Sequence, residues 1–137
     1  MEIRQNTGLI LGISGGLIVF IIALVLIIYN NSDFDQQLIN QVDSGVPASK
    51  LIPQIDQDTE KMKLNAQRRL ESQTVSKNIN KSDSAPFVQS YNDEMNMITQ
   101  YDDARKKFAN REINKEQFLS EIQEPKDFLK MYYGNNL

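Results

Sequence analysis

Carboxylate pairs are the residues of this 137-residue sequence whose types and spacing could do chemistry. Asp102 and Asp103 follow Glu94 along the chain, and Glu112 precedes Glu116 by four positions. Two carboxylates in different surroundings can act as general acid and general base. A helical arrangement, however, places these residues on or beside a polar face that also carries the basic run Arg105, Lys106 and Lys107. The sequence therefore predicts a solvated charged face and no catalytic residues.

Residues 113–118 have the spacing found at the end of an EF-hand calcium loop, where an isoleucine precedes the last ligand and an aromatic residue follows it. Such a loop needs several carboxylates, a glycine at its sharp turn and a glutamate as the last ligand. Arg111 stands at the glycine position and Gln117 at the glutamate position. We therefore expect a joint between two helices at this point and no metal site.

The composition excludes several classes of enzyme, because the sequence contains neither cysteine nor histidine. The lack of cysteine excludes disulfides, thiolate nucleophiles and thiolate metal sites. The lack of histidine removes the usual proton shuttle near neutral pH and the commonest zinc ligand. A net charge of −3 also argues against a nucleic-acid surface, which normally has a basic excess. We expect no enzyme, no cofactor and no nucleic-acid partner.

The longest apolar segment covers residues 8–29 and contains no charged residue. A helix of this length spans roughly 33 Å, slightly more than the roughly 30 Å hydrocarbon core of a bilayer. No small-residue cleavage site follows Tyr29, as a cleaved signal peptide would require. The segment is therefore predicted to be a transmembrane helix that acts as an uncleaved signal-anchor in the lipid bilayer.

The orientation of this predicted helix follows from the charges that flank it. Residues 1–7 contain Arg4, whereas residues 30–49 contain no lysine or arginine. Because positively charged flanks stay on the cytoplasmic side, we expect residues 1–7 to form a cytoplasmic tail. The remainder of the chain would then lie outside the cytoplasm, attached to the cell membrane by a single pass.

Glycines repeat every fourth residue within the predicted span, at Gly8, Gly12 and Gly16. This G-x-x-x-G spacing puts small residues on one face, so that a second helix can approach closely. The face could pair with a second copy of the chain or with a partner membrane subunit. Alternatively, the glycines reflect only the general frequency of glycine in membrane helices.

Residues 30–83 are predicted to form a polar helical stalk and linker. A short helix over 33–43 is followed by a turn at Ser44–Pro47, where glycine and proline occur together. A second helix begins near Ser49, and residues 76–85 have the composition of a flexible connector. Asn80 begins an N-x-S sequon, so glycosylation at this residue is a hypothesis that the sequence raises.

Residues 84–137 have the clearest pattern and are predicted to form an amphipathic helical module. Apolar residues recur every three, four or seven positions from Pro86 to Ala109, and a second helix is capped by Asn114 with Gln117. Pro125 is expected to end that second helix, and a short third helix would end at Gly134. The predicted fold is mostly α: a transmembrane helix, flexible connectors, and a helical hairpin with a short C-terminal helix.

Four of the large apolar residues in the last predicted helix are candidates for one of two roles: Phe128, Leu129, Tyr132 and Tyr133. They could complete the core of the helical module. They could instead form a docking surface that lies in the groove of a partner or on the membrane.

These features favour a membrane-anchored helical interaction protein, such as an accessory subunit or adaptor of a membrane or envelope assembly. The predicted anchor, its glycine face and the aromatic helices are the basis of this hypothesis. The alternative is a membrane-tethered sensor domain that binds a small ligand outside the cytoplasm.

Overall fold

The computed structural model describes residues 33–75, 83–134 and 137, and these residues fold into helices without strands. The helices are α1 (Phe34–Asp43), α2 (Ala48–Thr74), α3 (Ala85–Ala109) and α4 (Lys115–Tyr133). The mostly α prediction is confirmed for this part of the chain. None of these helices is long and apolar enough to span a bilayer. The predicted tail 1–7 and span 8–29, with Gly8, Gly12 and Gly16, lie outside the described residues, as does Asn80.

The first two helices begin and end near the positions that the sequence predicts. The carboxylate of Asp33 accepts a hydrogen bond from the amide of Asp35 at 3.0 Å and so caps α1. After α1 the chain turns at Gly45, whose φ of +81° lies in the left-handed region that glycine adopts without strain. Helix α2 begins at Ala48, directly after Pro47 and one residue before the predicted cap Ser49.

The boundary between α3 and α4 also follows the local sequence. The side chain of Asn114 accepts from the amide of Gln117, and the side chain of Gln117 accepts from the amide of Asn114, each at 2.9 Å. This reciprocal pair is the predicted capping box. It satisfies amide groups that the first turn of α4 would otherwise leave without partners.

The prediction that Pro125 ends a helix is wrong, because α4 continues through it from Lys115 to Tyr133. The predicted short third helix is therefore the second half of α4. Proline removes one amide donor, the one that would bond to the carbonyl of Glu121. The buried ring of Pro125 lies on the same face as Ile122 and Leu129, so packing against the core offsets the loss of one hydrogen bond.

Residues 33–137 form one compact unit with a shared core, and α3 contacts each of the other helices. The predicted division at residue 84 falls between helices that both contribute to this core. The rings of Phe108 and Phe118 stack across the α3–α4 turn, with their centroids 4.5 Å apart. The largest buried apolar members are Leu38, Ile39, Leu51, Ile55, Met62, Ile98, Tyr101, Phe108, Phe118, Ile122 and Leu129. Each contributes roughly 1.5–3 kcal/mol by leaving water.

Candidate functional site

In the part of the chain that the structure describes, ionisable side chains are buried at three places between the helices. We name these places the Arg105 cluster, the Glu94 cluster and the Asp35 cluster after the group that is buried in each. Exposure is 0% for Arg105 and 2% for both Glu94 and Asp35. Buried charges are rare and costly unless they are paired, so these clusters are the first places to look for function.

The Arg105 cluster joins α2 to α3. The guanidinium donates to the carboxylate of Asp58 at 2.7 Å and to the hydroxyl of Thr59 at 3.0 Å. It also lies over the rings of Tyr101 and Phe34, 4.2 and 4.9 Å from their centroids. The hydroxyl of Thr59 in turn donates to Asp102 at 2.6 Å.

The Glu94 cluster joins the C-terminal halves of α2 and α4 to α3. The carboxylate of Glu94 forms an ion pair with Arg69 and lies 2.9 Å from the hydroxyl of Tyr133. That hydroxyl is also 2.9 Å from the carbonyl oxygen of Met62. The guanidinium of Arg69 lies over the rings of Tyr132 and Tyr133, 5.0 Å from each centroid.

The Asp35 cluster joins α1 to α3 and α4. One carboxylate oxygen of Asp35 accepts from the hydroxyl of Tyr101 at 2.7 Å and from the ammonium group of Lys126 at 2.6 Å. Lys126 also pairs with Asp33 at the start of α1. Burial lowers the pKa of Lys126, but the two carboxylates outweigh burial and raise this pKa overall.

The expectation that the acidic residues of α3 and the basic run lie on a solvated face is wrong for Glu94 and Arg105. These two residues are four positions before and seven positions after the buried Ile98, so both lie on the apolar face of the helix. This phase is visible in the sequence and could have revealed them. The structure does not bring Glu94 and Asp102 together, because they belong to different clusters. Asp103, Glu112 and Glu116 are exposed.

Metal-ligating side chains do not converge within the described ranges 33–75 and 83–134, where no group of three or more carboxylates could hold an ion. Asp58 and Glu94 each bind an arginine, and Asp35 binds a lysine. Because these charges face one another, the clusters are suited to fixing the helices in position.

A cleft of about 500 Å³ lies beside the Asp35 cluster, between the start of α1 and the outer face of α4. We name it the α1–α4 cleft. Leu119, Ile122 and Leu137 provide its apolar part. The polar part consists of Asp33, Gln123, Lys126, Asp127 and Lys130. Its lysines are paired with its aspartates, since Lys126 contacts Asp33 and Lys130 lies 3.4 Å from Asp127.

The four apolar residues predicted as core or docking surface differ in how far they are buried. Leu129 is fully buried, whereas Phe128, Tyr132 and Tyr133 are half-buried. Tyr133 takes part in the Glu94 cluster, and the hydroxyl of Tyr132 lies 3.0 Å from that of Ser90 on α3. These contacts favour the core interpretation for Leu129 and Tyr133, and they leave part of Phe128 and Tyr132 accessible.

No protein-family model matches the sequence, and no curated protein or solved structure is significantly similar to it.

Tyr101 and Tyr133, two tyrosines of these clusters, predict a loss of stability at alkaline pH. Burial raises the pKa of Tyr101 far above its ordinary value. Burial, partly offset by Arg69 and reinforced by Glu94, raises the pKa of Tyr133 to about 12. The unfolded chain ionises both groups near pH 10, so the free energy of unfolding should fall as the pH rises from about 10 toward 12.

Urea unfolding at a series of pH values, with tyrosinate absorbance recorded in parallel, measures this effect. Lys126, whose pKa is also raised, loses its charge in the same direction of pH and adds to the slope. The variant Tyr133→Phe should show a shallower decline above pH 10 than the wild-type protein. Identical declines in the two proteins would contradict the role given to Tyr133.

Proposed function

We propose that this chain is a single-pass membrane-anchored helical interaction protein that serves as an accessory subunit or adaptor of a membrane or envelope assembly. One observation carries the proposal: the uncharged residues 8–29 end four residues before Asp33, which caps the first helix of a compact unit. A bilayer-length apolar segment joined by so short a connection to a folded unit is the arrangement of a tethered domain.

The buried charges of the helical unit support an interaction role, because they hold its helices together. The buried ionisable groups Asp35, Glu94 and Arg105 each tie two or more helices together. Recognition is then left to the surface, where Leu119 and Met131 on α4 are 44% and 69% exposed. Single exposed apolar residues are ordinary on protein surfaces, so these two residues are not the basis of the proposal.

Membrane insertion and orientation form the first test of the proposal. The full chain should remain in the membrane pellet after extraction with alkaline carbonate. A tag placed after residue 137 should be removed by protease added to intact cells or spheroplasts, because the rule of positive flanks puts this part outside the cytoplasm. Release of the chain by carbonate would contradict the anchor, whereas cleavage of the tag only after lysis would contradict the orientation.

The partner within the membrane is tested through the glycine face at Gly8, Gly12 and Gly16. We propose that this face packs against a second copy or a partner membrane subunit. Purification from native membranes in mild detergent should return a complex for the wild-type chain, and Gly12→Leu should dissociate it. Ser14→Leu, the matched control, also replaces a small residue with leucine, but on the opposite side of the predicted helix, about 200° from Gly12. It should preserve the complex. A wild-type chain that purifies only as a monomer would contradict the proposal.

A second candidate function is a membrane-tethered sensor that binds a small ligand, and the α1–α4 cleft favours it. The cleft volume of about 500 Å³ falls within the roughly 300–1,000 Å³ of small-molecule sites. A thermal-shift screen of the full chain in detergent tests this function. A compound that stabilises the wild-type protein but not Gln123→Ala or Lys130→Ala would favour the sensor over the adaptor.

A further inference from the structure

Helix α1 packs on the core through Leu38 and Ile39, and polar contacts hold each of its two ends. We propose that α1 is a strap that detaches from α2, α3 and α4 while these three helices stay folded. The chain before Asp33 would then be joined to the three-helix bundle through an adjustable element. This inference concerns the helical unit alone and does not depend on the membrane anchor.

The N-terminal end of the strap is held by Lys126. This residue of α4 contacts both Asp33 and Asp35, and Asp35 also accepts from the buried hydroxyl of Tyr101. The second carboxylate oxygen of Asp35 is buried without a protein partner. A buried ion pair of this kind fixes geometry but adds little net stability, because desolvation offsets most of the attraction.

The C-terminal end of the strap is held by Arg111, which lies just after α3. Its guanidinium donates to the carbonyl oxygens of Val46 at 3.1 Å and Val42 at 3.4 Å. A cation is favourable at the C-terminal end of a helix, where carbonyl groups lack amide partners. Arg111 has a φ of 60°, a left-handed conformation in which glycine is the usual residue. The backbone conformation at this position favours glycine, yet the residue is an arginine whose side chain reaches the end of α1.

The apolar contribution of α1 is small compared with that of the other helices. Of the ten residues of α1, Leu38 and Ile39 are buried, and Phe34 and Val42 are partly buried against the core. Isolated helices of this length are marginal in water, so a detached α1 would lose its helical structure. Elements with few buried apolar contacts open locally at lower free energy than the whole fold. The short length of α1 and the polar contacts at its ends together make it the helix that we expect to open first.

Native-state hydrogen exchange of the full chain in detergent micelles, read by mass spectrometry, tests this inference without any substitution. The amides of α1 should exchange at least about tenfold faster than those of residues 98–108 in α3. Equal rates in the two segments would mean that α1 opens only when the whole unit unfolds, and would overturn the proposal.

Substitution of Lys126 gives the second arm of the test. Lys126→Met should raise the exchange rate of α1 by at least about tenfold and leave residues 98–108 unchanged, because it leaves the buried Asp35 without its cation. Lys130→Met, the matched control one turn further along α4, removes only a partly exposed pair with Asp127. It should change the rate of α1 by less than about twofold. An equal effect of the two variants on α1 would overturn the role of Lys126.

Discussion

Replacing Asp58 with alanine is expected to lower the free energy of unfolding by about 4 kcal/mol, although the side chain of Asp58 is one-third exposed. The reason is the group that Asp58 leaves behind. Arg105 is completely buried, and its Nε atom already has no hydrogen-bond partner. Without Asp58, the guanidinium keeps only the hydroxyl of Thr59 and the faces of two rings. A buried cation without an anion is one of the most destabilising defects in a protein interior.

The control for this prediction removes both partners. In the double variant Asp58→Ala, Arg105→Met, no charge is left buried, and the methionine fills most of the space of the arginine stem. Stability should return to within about 1.5 kcal/mol of the wild-type value, since apolar replacement of a buried pair is often nearly neutral. Urea unfolding of residues 33–137, followed by circular dichroism, measures each value. If Arg105→Met restores none of the stability lost in Asp58→Ala, the unpaired Arg105 is not the cause of that loss.

Helix boundaries were predictable in this chain wherever short-range chemistry decides them. Asp33 caps α1, and Asn114 with Gln117 caps α4, because both motifs act within three residues of the chain. The extent of α3 follows from its apolar period, which is also a local property. Pro125 is the counterexample. Its effect on a helix depends on whether its ring is buried, and burial is decided by the packing of the helices and not by the local sequence.

The buried charges mark the limit of prediction for the candidate site. Glu94, Ile98, Tyr101, Arg105 and Phe108 alternate in steps of three and four and lie on one face, so the phase alone places the two charged residues inside. The usual rule that charged residues are exposed conceals this. Their partners were not predictable, because Asp58 lies 47 positions before Arg105 and Arg69 lies 25 positions before Glu94. Such pairs are set by the packing of helices and leave no periodic pattern in the sequence.

The second large effect is expected at the Glu94 cluster, where the two members of one ion pair should respond unequally. The side chain of Arg69 is 33% exposed and that of Glu94 only 3%. Arg69→Met would leave a buried carboxylate with the hydroxyl of Tyr133 as its remaining partner. We therefore expect a loss of about 3 kcal/mol.

Glu94→Gln should cost only about 1 kcal/mol, because water can reach the arginine that it leaves and the amide can still bond to Tyr133. Urea unfolding of both variants of residues 33–137 gives the comparison, and the double variant Arg69→Met, Glu94→Leu serves as the control without buried charge. That double variant should be more stable than Arg69→Met alone, since it removes the uncompensated carboxylate. Equal losses for Arg69→Met and Glu94→Gln would show that the pair contributes through its mutual attraction alone. A larger loss for Arg69→Met than for Glu94→Gln would show that the burial of Glu94 determines how much this ion pair contributes to stability. That burial follows from the packing of α3 between α2 and α4.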